Sequence, residues 1–429
     1  MRNREVGPVL RLSHVRTVLA VLLTALVSLV WVGVRPAAAD TVRNQQWQLS
    51  FLHASTAWRY STGKNVVVAV IDSGVDATHP DLVGQVLPGA DFVDGSTDGR
   101  TDVVGHGTAV AAFIAGLDDN AGVVGLAYRA KILPIRVLDP RNEYDSAATV
   151  AKAVRWAVNH GARVINLSLG SADTATVLSD ALDYAFRQDV VVVACDGNLS
   201  NDRGARVWHP AREPGVIAVS GVVNTGTYWS GSLQGPETVL AAPATQLTAA
   251  GLDHGYWQVQ GTSFGTPMVS ATAALIRSRY PTLSAANVVN RLVKTAEDEG
   301  PPGRDNEYGY GIVDPVAALT RSVPAVSRNP LLTTPVTNQA GSAPSAGPAP
   351  APAPSKVTQG QVPAGGPKAS PQTGVSPLAS RIRQLQSRAL AVGVAIAAVL
   401  LFGAGGIAFA LLRRDKPRPG RRGWDIPPR

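Results

Sequence analysis

Val66-Val-Val-Ala-Val-Ile71 is a continuous apolar run in which five of six residues are β-branched. A strand with one wet face would alternate, so this run suits a strand buried on both faces of a parallel sheet. Asp72 stands at its C-terminal end, followed by Ser73-Gly74 as a turn. In open α/β sheets the functional groups gather at that edge. Further strands are expected over Lys131–Val137, Val164–Leu169 and Val190–Cys195. Helices are expected over Gly105–Gly116, Ser146–His160 and Thr176–Gln188. Repeated βα units of this kind predict an α/β fold: a doubly wound, mostly parallel sheet with helices on both faces. Beyond Glu213 the expected strands shorten to Val216–Val222 and Val239–Ala241. A helix over Met268–Ile276 with Pro267 in its first turn follows, then a helix over Ser284–Thr295 and a last short one.

Ser263 sits just ahead of the Met268 helix, flanked by Gly261 and Gly265, which would let a substrate backbone approach. His106 lies between two glycines at the start of a small-residue helix. Asp72, His106 and Ser263 thus stand in chain order, 34 and 157 residues apart. A serine hydroxyl needs a base to become a nucleophile at neutral pH, and histidine suits that task. An aspartate fixes the imidazole tautomer and stabilises the imidazolium.

The net charge of +8 is concentrated at the two ends. Residues 1–16 carry +3 and residues 413–429 carry +5, which leaves none for 17–412. That pattern signals topology and implies no nucleic-acid surface. Residues 1–39 read as a secretory signal peptide: a basic start, an apolar stretch and Ala37-Ala-Ala39 as the cleavage site. Residues 40–64 read as an N-terminal arm whose Trp47, Phe51, Trp58 and Tyr60 pack on a catalytic domain over 65–322. Residues 323–388 form a Pro/Ala-rich linker. Ala389–Leu412 carries no charge over 24 positions, about 36 Å of helix, enough to span a bilayer as a transmembrane helix. The basic tail, 413–429, is then expected in the cytoplasm. The single cysteine, Cys195, excludes an internal disulfide. Asp91, Asp94, Asp98 and Asp102 match no defined calcium loop and read as solvated carboxylates. No metal or cofactor is expected.

Val70-Ile-Asp-Ser-Gly-Val-Asp76 with His79-Pro-Asp81, Gly105-His-Gly-Thr108, and Gly261-Thr-Ser-Phe-Gly-Thr-Pro-Met268 resemble the three signature blocks of subtilisin-like serine proteases. The resemblance runs over about residues 45–320. It implies peptide-bond hydrolysis through an acyl-enzyme, with Ser263 as nucleophile, His106 as base and Asp72 as orienter. His79 and Asp76 match structural positions. Val191-Val-Val-Ala-Cys-Asp-Gly-Asn198 resembles the strand ending in the family's oxyanion-hole asparagine, here Asn198. Ser168-Leu169-Gly170 resembles the segment whose backbone pairs with substrate as an added strand. Cys195, Asp196 and Gly197 match positions near the primary specificity pocket. The first two depart from the family's small residues, and Cys195 is expected as a small apolar wall residue.

The order of signal, catalytic domain, proline-rich spacer, membrane helix and basic tail is similar to the mycosins, membrane-anchored proteases tied to type VII secretion. That resemblance implies protein substrates and a membrane secretion complex as partners. The stretch between Ala39 and the first core strand is too short for a folded inhibitory propeptide, so activation without autoproteolysis is expected. Two alternative functions are a scaffold for the secretion complex with secondary proteolysis, and a general surface protease.

Overall fold

The computed structural model describes residues 42–173, 175–199 and 206–332, and the backbone of 357–358. Two short helices, α1 (Trp47–Phe51) and α2 (Ala54–Ala57), form the arm. The Trp47 indole donates to the carbonyls of Thr245 and Gln246, and the Trp58 indole donates to Leu126 O. Both aromatics therefore dock the arm through their polar edge as well as their apolar body.

Seven strands follow: β1 (Val67–Asp72), β2 (Ala90–Asp91), β3 (Lys131–Arg136), β4 (Val164–Leu167), β5 (Val191–Cys195), β6 (Ile217–Val222) and β7 (Leu240–Pro243). They form one sheet in the order β2-β3-β1-β4-β5-β6-β7, parallel at every pairing. From Val68 to Asp72, β1 is fully buried, and β4 and β5 are buried throughout, as their unbroken apolar runs require. The subtilisin-like α/β architecture with a parallel sheet is thus present.

Five longer helices attach to this sheet: α3 (His106–Ala115), α4 (Ala147–Asn159), α5 (Thr176–Arg187), α6 (Thr262–Arg279) and α7 (Ala285–Thr295); a short α8 (Pro315–Thr320) closes the series. The chain leaves β1 through α3 towards β3, then returns through α4 to β4 on the other side of β1. With right-handed crossovers, that reversal puts α3 on one face and α4 and α5 on the other. The order reverses between β1 and β4, so the carboxyl ends of these two strands flank a crevice. Asp72 and Ser168 stand there.

The helix expected from Met268 starts earlier: α6 begins at Thr262. Ser263 is therefore in the first helical turn, and Pro267 lies inside the helix. Residues 262–277 are all buried, because α6 packs on α3 and crosses the sheet. A helix buried on every side belongs in the middle of a domain. Side chains such as Val269, Leu275 and Ile276 each contribute about 1.5–3 kcal/mol by leaving water.

An antiparallel hairpin, β8 (Leu247–Ala250) and β9 (Tyr256–Val259), was not expected. Residues past 322 stay packed on the domain: Asn287 and Asn290 donate to the carbonyls of Val326 and Pro324, and Asn329 donates to Gly215 O. Among the described residues no helix is long and apolar enough to cross a membrane. The expected signal peptide, the Ala389–Leu412 span and the basic tail lie outside the described residues.

Candidate active site

Asp72 ends β1 fully buried, and its Oδ1 lies 2.7 Å from His106 Nδ1. The same oxygen accepts the Ser73 N–H at 2.7 Å. Two glycines bring the histidine to this place. Gly105 caps α3 at φ +87°, and a Cβ there would sit 2.3 Å from the Trp257 ring. A Cβ on Gly107 would sit 2.1 Å from Gly74 O and 3.1 Å from Asp72 Cβ. Without side chains at both positions, α3 can start directly against the end of β1.

Asp102 was expected in solvent; instead it is buried beneath the start of α3. Its carboxylate accepts Ser73 Oγ, the N–H groups of Val104, Gly105 and Thr108, and the Thr108 hydroxyl. A carboxylate is well placed at a helix N-terminus, where unpaired N–H groups concentrate. The Asp91 side chain is likewise buried, paired with Arg136 at 2.8 Å. A loop sequence shows that a carboxylate is polar, not that donors converge on it.

Burial opposes the charged form of the His106 imidazole. The attraction and hydrogen bond of Asp72, with a further attraction from Asp102, outweigh that effect and raise its pKa above the ordinary value. His79 is fully buried in a different role: its Nδ1 accepts the Asp81 N–H at 3.2 Å.

Ser263 stands at the N-terminal end of α6. Its Oγ donates to Ser168 O at 3.2 Å and lies 3.9 Å from Cys195 Sγ. The Phe264 ring beside it lies 5.2 Å from the His106 ring, centroid to centroid. The structure thus brings Asp72, His106 and Ser263 to one crevice, with the serine hydroxyl bonded to Ser168 O. Phe264 was not singled out in the sequence; it forms the apolar contact between the histidine and the start of α6.

Asn198 follows β5. Its Oδ1 accepts the Thr262 N–H at 2.9 Å and the Thr262 hydroxyl at 3.1 Å. The oxygen is thereby engaged at the helix start, which turns the amide NH2 over Gly261. A Cβ on Gly261, whose φ is +144°, would lie 3.4 Å from Asn198 Nδ2. The Asn198 side chain thus stands against the Gly261–Thr262 segment that leads directly into Ser263.

Ser168, Leu169 and Gly170 continue β4 and are buried. Cys195 is fully buried, its Sγ 3.7 Å from Leu169 O, and burial pushes its thiol up to about 12. It is an inert packing residue under Ser263. Asp196 is also fully buried and turned into the domain: Thr238 Oγ1 donates to its Oδ2 at 2.6 Å. Burial, with the charge of Glu237 adding to it, raises its pKa to about 8 against the opposing Thr238 hydrogen bond. Gly197 N–H donates to Thr262 Oγ1 at 3.2 Å, so the 195–198 run is stitched to α6.

The family model of the subtilases, peptidase S8, matches residues 63–311. The chain belongs to the subtilase family. This subtilase is 39% identical to subtilisin DY of Bacillus licheniformis over 258 residues, which are 60% of this chain and 91% of that protein. Such relatives make it a serine endopeptidase. Among solved structures it resembles MycP1 from Mycobacterium smegmatis, with a TM-score of 0.60 and 31% identity over 72% of this chain and 92% of that one. It also resembles the MycP3 protease from the type VII (ESX-3) secretion system, with a TM-score of 0.56 and 34% identity over 68% and 90%. Its structural neighbours are thus mycosin proteases.

Proposed function

We propose that the protein is an exported, membrane-anchored serine endopeptidase that processes substrates of a type VII secretion system. The 2.7 Å contact between Asp72 and His106, at the crevice that also holds Ser263, carries the catalytic part of this reading. A turn of the Ser263 hydroxyl from Ser168 O towards His106 gives the reactive arrangement. His106 takes the hydroxyl proton as Ser263 Oγ bonds to the substrate carbonyl carbon. Asp72 holds the ring in the productive tautomer and stabilises the imidazolium. Asn198 Nδ2 and the Ser263 N–H donate to the oxygen as it gains charge. His106 then protonates the leaving amine, and water, activated by the same base, releases the acid.

The secretion role draws its support from likeness to MycP1 and MycP3, and membrane anchoring from the apolar Ala389–Leu412 segment. The catalytic domain is then extracytoplasmic and the tail cytoplasmic. A Ser263→Ala chromosomal variant tests the role. Its secreted proteins should retain the uncut form while the wild type yields the processed form. Identical processing in both strains would assign cleavage to another enzyme.

A further inference from the structure

Three chain segments close a slot beside Ser263. One wall is the run from Ser168 to Ser171, the other the run from Cys195 to Gly197. The walls meet where Cys195 Sγ contacts Leu169 O at 3.7 Å, next to the Ser263 hydroxyl. The floor is Trp208-His209. It is tied to the second wall by Trp208 N–H donating to Asp196 O at 2.9 Å. It is tied to the first by reciprocal backbone bonds between Ser171 and His209 at 3.0 and 2.8 Å.

Gly170 and Gly197, one on each wall, have no side chain to occupy the slot. The Trp208 side chain takes that room. A Cβ on Gly197 would lie 2.4 Å from Trp208 Cδ2, and a Cβ on Gly170 would lie 3.0 Å from Trp208 Cβ. The ring is therefore flat against Gly197, and the whole residue is only 9% exposed. An indole is the bulkiest apolar group available, so it fills volume that a large substrate side chain would need.

A peptide carbonyl held between Ser263 and Asn198 carries its own side chain one bond away. With Phe264 and His106 packed together beside Ser263, that side chain enters between the two walls. We propose that Trp208 fills the primary specificity pocket and restricts the residue on the acyl side of the cleaved bond to glycine, alanine or serine. This assignment rests on the protease reading above. Each surplus methylene in an apolar pocket typically changes discrimination by about 10- to 200-fold, so the restriction should be strong.

The test uses the full-length chain, its active fraction titrated with a fluorophosphonate probe, and quenched peptides differing only in an alanine, leucine or phenylalanine at the cleaved carbonyl. Wild type should favour alanine over phenylalanine by at least about 100-fold in kcat/KM. Trp208→Gly should narrow that ratio at least tenfold, and Trp208→Leu, which keeps an apolar filler, should narrow it less. Wild type that labels and cleaves after phenylalanine as fast as after alanine overturns the assignment, whether or not the variants fold. So does an unchanged ratio in folded Trp208→Leu and Trp208→Gly. Wild type that neither labels nor cleaves any peptide overturns the protease reading, and the assignment with it.

Discussion

Ser168 and Ser263 hold each other through two hydrogen bonds. Ser168 Oγ donates to Ser263 O at 2.6 Å, and Ser263 Oγ donates to Ser168 O at 3.2 Å. The first bond has a cause in the same helix. Pro267, four residues after Ser263, has no N–H to give to that carbonyl. Ser168, at the end of β4, supplies the missing donor and fixes the start of α6 against the sheet.

Removing that donor strands a buried carbonyl. Ser168→Ala should cost about 1–3 kcal/mol. In a domain of this size that is a fall in Tm of roughly 2–10 °C. Calorimetry showing an unchanged Tm would mean that the carbonyl finds another donor.

Asn198 has one atom on the helix and another free for substrate, and the two can be separated. Asn198→Asp keeps an oxygen for the Thr262 N–H and loses the NH2 donor. It should fold with a Tm close to wild type while kcat falls about 100- to 1000-fold, the range of such a donor in subtilisin. KM should change little. A rise in KM with kcat intact would instead make Asn198 a ground-state binding residue.

His106 must be neutral to accept a proton. Its raised pKa means that activity, lost on acidification, begins to fall at a higher pH than for an ordinary imidazole. Asp72→Asn removes the attraction that outweighs burial, so the acid limb of kcat/KM should move to lower pH. Its kcat should also fall by about 10^4, because the ring loses its tautomer. A limb that moves upward in the variant would contradict this electrostatic account.

Asp196 gives a stability that depends on pH. An unfolded aspartate titrates near 3.9, whereas the folded group is raised to about 8. The folded state therefore binds the proton more tightly, and this contribution is lost as pH rises from about 4 to about 8. Asp196→Asn cannot ionise. Its Tm should gain on wild type across that window, by at least about 4 °C between pH 5 and pH 8.5. Parallel Tm curves would show that the carboxyl is paired more fully than its single bond to Thr238 implies.

The sheet was legible because its strands announce themselves. Val66–Ile71 and Val190–Cys195 are unbroken apolar runs, and only burial on both faces explains such composition. Asp72 and His106 were legible through position, one at a strand end and one between glycines. The start of α6 was misplaced because Pro267 suits a first helical turn and Gly265 reads as room for substrate, whereas tertiary packing and the Ser168 bond carry the helix back through both to Thr262. Asp102 was misjudged because its burial depends on Ser73 and Thr108, brought in by the fold. The β8–β9 hairpin was missed because Leu247–Ala250 and Tyr256–Val259 are short and weakly patterned. Trp208 carried no signal at all: only the two facing glycines, distant in sequence, show what it occupies.

Every step of the proposed catalysis requires Ser263 Oγ to be the atom that bonds to substrate. Full-length wild type and Ser263→Ala, treated with a fluorophosphonate and examined by intact-mass measurement, test it most directly. Wild type should gain one phosphonyl group, mapped to the Gly261–Met268 peptide, and the variant, folded by circular dichroism, should gain none. Equal labelling of the variant, or a label mapped to another serine, would contradict the account.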